Sequence, residues 1–286
     1  MILVTGATGH LGKSVVEFLL KTTPANEIAA LARDKNKAKD LADKGVTVRT
    51  GDYTDEASMV AALTGIEKLV LVSSSDLHDR AGQHINAINA AKKAGVKHIY
   101  YTSVDMKDLN NSAVGMIAES HSATIKHLEK AGITYTIFAN TLYSDGLPMF
   151  FGEKVLETGV FFPAGDGKAP YASRVDMAEA IANTVAGTGH ENKTYVISNV
   201  VEYSIHDAAD IISKVSGKKV PYINPTDEVY KSALSAASVP PIFIDLLAGF
   251  AKAIREHEFE TGMSDLEKLL GRKPETLEAF LKKVYA

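Results

Sequence analysis

Through the first half of the chain, short runs of branched and aliphatic residues alternate with longer segments whose apolar positions recur at helical spacing. The runs fall at residues 2–5, 27–32, 46–50, 68–73, 97–103 and 134–139, and each predicts a strand. Between them, residues 13–21 carry Val15, Val16, Phe18, Leu19 and Leu20 on one broad apolar face. Residues 83–93 do the same with Ile85, Ile88 and several alanines. Glycines followed by a branched residue, at Gly45, Gly65, Gly95 and Gly132, stand where a helix should stop and the next strand begin. Strand then helix, repeated, requires crossover connections and therefore a parallel sheet.

Beyond about Tyr143 the rhythm changes. Pro148, Pro163 and Pro170 enter, Gly165 and Gly167 cluster, and helical spacing dominates over residues 174–186, 204–216, 227–237, 242–256, 264–270 and 275–285. Only residues 194–198 and 220–223 read as strands there. The pattern predicts an α/β fold, a Rossmann-type doubly wound parallel sheet with a smaller, mostly helical C-terminal substrate region. The division is expected at residues 1–145 for the doubly wound part and 146–286 for a cap that partly contributes back to the sheet. Leu142, Leu147, Met149, Phe150 and Phe151 read as core rather than as substrate wall.

Composition narrows the chemistry. A net charge of -4 without a long Lys/Arg block argues against nucleic acid and anionic membrane as partners, which leaves a small molecule. The absence of cysteine removes thiolate catalysis, disulfides and iron–sulfur clusters. The nine histidines form no H-E-x-x-H and no pair three or four apart, so no metal site is expected. No basic leader and no membrane-length apolar stretch is present, which predicts a cytoplasmic protein, either monomer or homodimer.

The most informative segment is Thr5-Gly6-Ala7-Thr8-Gly9-His10-Leu11-Gly12, between a predicted strand and a predicted helix. Glycines so spaced allow a tight turn, close approach of backbone to a pyrophosphate and close helix packing, while the helix start offers free N–H groups. Arg33 ends the second strand, where an NAD-preferring domain presents a carboxylate. Its planar fork suits a 2′-phosphate, and Lys35 and Lys37 add to the positive field, so NADPH is expected ahead of NADH, although Asp34 beside it weakens that field and Arg33 fits also as a solvated residue at a strand end. Asp52 and Tyr53 end the third strand near the adenine side, although Asp52 fits equally as a turn former. Ser73, Ser74 and Ser75 end the fourth, either beside the cofactor or as a plain polar loop. His121, alone on the helix before the sixth strand, reads as structural.

TGATGHLG, Arg33, GVKHIYYTS, HSAT at 121–124, ITYTIFANTLYSD and LLGRKPETLEAFLKK together resemble the atypical short-chain dehydrogenases of the NmrA-like type, over nearly the whole chain. Within that group the chain is similar to the type 2 NAD(P)H:quinone oxidoreductases and triphenylmethane reductases, which share the segment here at Asn140 to Asp145. The resemblance implies that Gly6 to Leu11, Arg33, Ser73 to Ser75, Asn140, Thr141, Leu142, Tyr143, Ser144, Asp145 and Arg174 line an NADPH site. It also implies that Asn140 and Tyr143 position groups near the nicotinamide. Ala139 and Ile125 depart from the arginine and glutamate frequent in relatives, which puts acceptor preference in question.

No tyrosine has a lysine four positions later, so the Tyr-x-x-x-Lys relay of ordinary short-chain dehydrogenases is missing. Hydride delivered to a quinone gives a delocalised phenolate that takes its proton from water, so flat electrophiles suit such a site and simple carbonyls do not. The missing relay also fits a non-catalytic dinucleotide sensor that binds a protein partner.

Overall fold

The computed structural model describes residues 1–286. The apolar runs are strands β1 (Ile2–Val4), β2 (Ile28–Ala32), β3 (Thr47–Thr50), β4 (Lys68–Leu71), β5 (His98–Val104) and β6 (Thr134–Asn140). With the later strand Lys193–Ile197 they form one seven-stranded sheet in the order β3-β2-β1-β4-β5-β6 followed by Lys193–Ile197, every pairing parallel. Strand order reverses beside β1, so the crevice at the carboxyl ends of β1 and β4 is the switch point of a doubly wound sheet.

Both faces of the sheet are covered, which is why β2 is buried along its whole length and reads as a continuous apolar run. On one face α1 (His10–Leu19) packs beside helix Arg174–Ala186, burying Val15, Val16 and Leu19 completely; each such side chain contributes about 1.5–3 kcal/mol. On the other face lie helices Glu56–Leu63, Arg80–Ala94 and Gly115–Lys130. The glycines expected to end helices, Gly45, Gly65, Gly95 and Gly132, all have positive φ.

A third apolar cluster, built from residues between Met106 and Leu281, forms the core of the C-terminal part. Leu142, Leu147, Phe150 and Phe151 belong to it, whereas Met149 is 62% exposed and is not core. The chain crosses between the two bodies more than once. Helix Arg174–Ala186, strand Lys193–Ile197 and the short helix Leu266–Leu270 all pack on the sheet side, while helices Ile205–Ser216, Pro241–Arg255 and Leu277–Tyr285 build the other body. Asp176 ties the C-terminal segment to the sheet layer: buried, it accepts from Arg272 Nη2 at 2.7 Å and from the Glu275 amide at 2.6 Å. No helix is long and apolar enough to cross a membrane.

Candidate functional site

The turn after β1 is built from backbone. The Thr5 amide and hydroxyl both donate to the Val70 carbonyl, at 3.0 and 3.2 Å, and so pin the strand end to β4. Gly6 then turns with φ +59°, a conformation that a side chain disfavours. A Cβ at Gly12 would sit 2.4 Å from the Gly6 carbonyl oxygen, so helix and turn touch through bare main chain. Gly9 precedes α1 in an extended conformation with no side-chain cap, and a Cβ there would meet only the Gly6 oxygen, at 3.3 Å. The amides of His10, Leu11 and Gly12 start the helix without intrahelical acceptors, and the positive end of the helix dipole coincides with them.

These residues open onto one cavity of about 610 Å³ at the switch point. Gly6, Thr8, Gly9, His10, Leu11 and Gly12 form its floor, and Arg33, Asp52 and Tyr53 line it on the β2–β3 side. Asp52 also makes the turn anticipated as its alternative role: its Oδ1 accepts from the Thr54 amide at 2.9 Å and hydroxyl at 2.8 Å. Those bonds hold its carboxyl below the ordinary range, with the nearby Arg33 charge helping. The Tyr53 hydroxyl donates to the Val72 carbonyl at 2.9 Å and also bonds Thr5, so it serves the strand ends while its ring forms wall. Burial pushes that phenol's pKa far up.

Ser73, Ser74, Ser75 and Tyr143 line the opposite side, joined by Asp76, Arg80 and Gln83, which the sequence did not single out. Behind this wall lies a buried network. The Ser74 amide donates to His84 Nε2 at 2.8 Å, which leaves the His84 proton on Nδ1, facing Thr124 Oγ1 at 2.9 Å; that hydroxyl in turn donates to the Ser120 carbonyl. His121, fully enclosed, sits between Arg80 Nη2 at 3.0 Å and the Tyr101 hydroxyl at 2.7 Å. Desolvation first, then the Arg80 charge, pushes the His84 pKa down to about 3 and holds that of His121 well below its ordinary value, so both rings are neutral. His121 is therefore a structural histidine with a neighbour in the cleft.

The remaining expected residues do not line the cavity. Ala7 is buried under the turn, and Lys37 lies on the short 3-10 helix Lys35–Ala38, outside the wall. Asn140 ends β6 paired to β5 on one side and to Lys193–Ile197 on the other, and is 2% exposed. Thr141 and Ser144 are also buried, and Leu142 is part of the C-terminal core. Asp145 accepts from the Arg174 amide at 2.8 Å, and the Arg174 guanidinium lies over the Tyr143 ring at 4.6 Å. Asp145 and Arg174 thus hold Tyr143 from behind. The side-chain polar atoms of Ser103, Asn140 and Thr141 are buried without partners at the carboxyl ends of β5 and β6, the side of the sheet on which ligands bind. No cluster of three or more His, Asp or Glu side chains is arranged to hold a metal.

Fold and cleft together define a Rossmann-type α/β protein with a nucleotide-sized site at its switch point. The chain belongs to the NmrA-like family, whose model matches residues 1–281, and it is an oxidoreductase. It is 42% identical over 278 residues to quinone oxidoreductase 2 of Escherichia coli (strain K12), covering 97% of this chain and 96% of that one. Among solved structures, it matches the NADPH complex of the Escherichia coli NADPH-dependent quinone oxidoreductase with a TM-score of 0.92 at 38% identity, over 100% of both chains. It matches the NADP(H) complex of the Citrobacter sp. triphenylmethane reductase with a TM-score of 0.91 at 36% identity, again over 100% of both.

Proposed function

We propose that this chain is an NADPH-dependent reductase that passes hydride to a quinone or a similar flat electrophile in the cavity at the switch point of the sheet. One observation carries the reading: a single cavity joins the uncapped start of α1 to Arg33 on one side and to Tyr143 on the other. The residues fit a dinucleotide. The amides of His10, Leu11 and Gly12 suit a diphosphate, bare Gly9 leaves room for its close approach, and Arg33 suits a 2′-phosphate. The relatives named above as NADPH-dependent or complexed with NADP(H) support the same cofactor.

When bound, the dihydronicotinamide supplies a hydride and becomes oxidised, while the acceptor gains two electrons and one proton. The chain's own part is to bind and to orient. Tyr143, braced by Arg174, offers its ring as a wall beside the reacting groups, an effect of alignment rather than proton transfer. The sequence lacks the Tyr-x-x-x-Lys relay with which ordinary short-chain dehydrogenases protonate a carbonyl oxygen. The reduced acceptor draws its remaining proton from solvent.

Loss of nicotinamide absorbance on mixing pure protein and NADPH with a panel of quinones and cationic dyes tests this directly. Turnover of at least one such acceptor is expected. A protein that binds NADPH and leaves it unoxidised with every acceptor is instead the dinucleotide sensor.

A further inference from the structure

Arg80 is an arginine without an anion. Arg174, Arg255 and Arg272 each face a carboxylate, but Arg80 forms no ion pair. Its one side-chain partner is the neutral ring of His121, at 3.0 Å from Nη2, and its Nε is buried with no partner at all. The two nearby carboxylates are turned elsewhere. Asp76 accepts from the amides of His78 and Asp79 at 2.7 and 3.2 Å, and Asp79 caps the helix through the Gly82 amide at 3.1 Å. Behind the guanidinium, His121, Tyr101, His84 and Thr124 form a network that contains no acid, and Tyr143 lines the same cavity in front.

A half-buried guanidinium whose Nε is cut off from water, with no counter-charge, gains when a ligand brings the negative charge. Two arginines line the cavity, and they face different surroundings. Arg33 is exposed and looks toward Asp52, on the side suited to the 2′-phosphate, whereas Arg80 shares the other wall with Tyr143. This inference rests on the hydride-transfer reading above. When the C–H bond of the dihydropyridine breaks with its electron pair and a new bond to hydrogen forms on a neutral quinone, the ring donor becomes a pyridinium. The acceptor becomes a hydroquinone monoanion, later protonated by water. We propose that Arg80 is the group that binds this oxyanion and so stabilises the transition state leading to it, which makes neutral, oxygen-terminated acceptors the substrate class the site favours. His121 holds the guanidinium in place by accepting from Nη2.

The test uses Arg80→Gln and Arg80→Lys in the full chain. With a neutral quinone, Arg80→Gln is expected to lower kcat by about 10²-fold, with NADPH affinity by calorimetry unchanged and most of the rate restored in Arg80→Lys. With a cationic triphenylmethane dye, whose reduction creates no anion, the loss is expected to be much smaller. Titration of para-nitrophenol bound to the NADP⁺-loaded protein gives a readout without turnover. The bound phenol should ionise at lower pH than free phenol in the wild type and in Arg80→Lys, and not in Arg80→Gln. Equal losses with both acceptors together with weaker NADPH binding would assign Arg80 to the cofactor and overturn the proposal, as would an unaltered nitrophenol titration. If the wild type turns over no acceptor while the phenolate shift is present, the hydride-transfer reading fails and the oxyanion site stands.

Discussion

The hydroxyl of Tyr101 lies 2.7 Å from Nδ1 of His121, and the hydrogen between them belongs to the histidine, because Arg80 already donates to Nε2 on the other side of the ring. His84 is fixed in the same way by the Ser74 amide. Each ring spends its one lone pair on a donor, so neither can take up a proton without losing a hydrogen bond and placing a second cation beside Arg80.

Stability should therefore fall with acid. The folded values lie below the unfolded value of about 6.5, reaching about 3 for His84, so below about pH 6.5 the unfolded chain binds protons that the folded chain refuses. The contribution is complete above that pH and is lost as pH drops toward about 3, with a slope approaching ~1.4 kcal/mol per pH unit for each histidine. Urea midpoints measured across this range, with His84→Gln as a flatter reference, check the direction and the size. A midpoint that rises on acidification would contradict the assigned protonation.

Arg33→Ala is expected to weaken NADPH by roughly 10- to 100-fold while leaving NADH nearly unaffected, since only the former carries the phosphate that would need a charge-assisted partner. Calorimetry with both dinucleotides gives the ratio. Equal losses would remove Arg33 from the phosphate.

At Gly12 the expected failure is structural. A methyl group there would overlap the Gly6 carbonyl at 2.4 Å, so Gly12→Ala should cost about 1–3 kcal/mol of stability, seen as a lower Tm. An unchanged Tm would show that helix and turn are less tightly apposed.

Asp176→Ala should detach the C-terminal segment from the sheet layer. It strands the Glu275 amide and takes one of two carboxylates from Arg272, which is 44% exposed at its side chain and partly served by water. The expected loss is about 2 kcal/mol, less than for a fully enclosed pair. Faster proteolysis near residues 271–276 would accompany it.

Much of this molecule is legible in its residue pattern, and the reasons are local. β2 shows because burial on both faces demands an unbroken apolar run, and the Gly6–Gly12 turn shows because its backbone geometry admits few other residues. Helix Glu56–Leu63 did not stand out, since its alanines leave little contrast between faces. The two-residue strands at Val160–Phe161 and Lys168–Ala169 exist only through distant pairing.

In the site, residues 140–145 looked like cofactor wall, yet only Tyr143 reaches the cavity, because Asn140 is still inside the sheet and Leu142 has already entered the second core. Arg80 was hidden for the opposite reason. In sequence it is an ordinary charged residue in a helix's first turn, and its significance lies in carboxylates that the fold directs elsewhere.

The grip of the opening turn on a dinucleotide diphosphate is tested most directly by calorimetric titration of NADPH into the wild type and Gly9→Val. A Cβ there meets only the Gly6 carbonyl oxygen, at 3.3 Å, and the extended conformation is allowed to any residue, so stability should fall by no more than about 1 kcal/mol, read as a small drop in Tm. NADPH should bind the wild type with measurable heat and the variant at least ~10²-fold more weakly, as expected where a side chain blocks close backbone approach to the diphosphate. No heat with the wild type, or equal affinity in the two proteins, would contradict it.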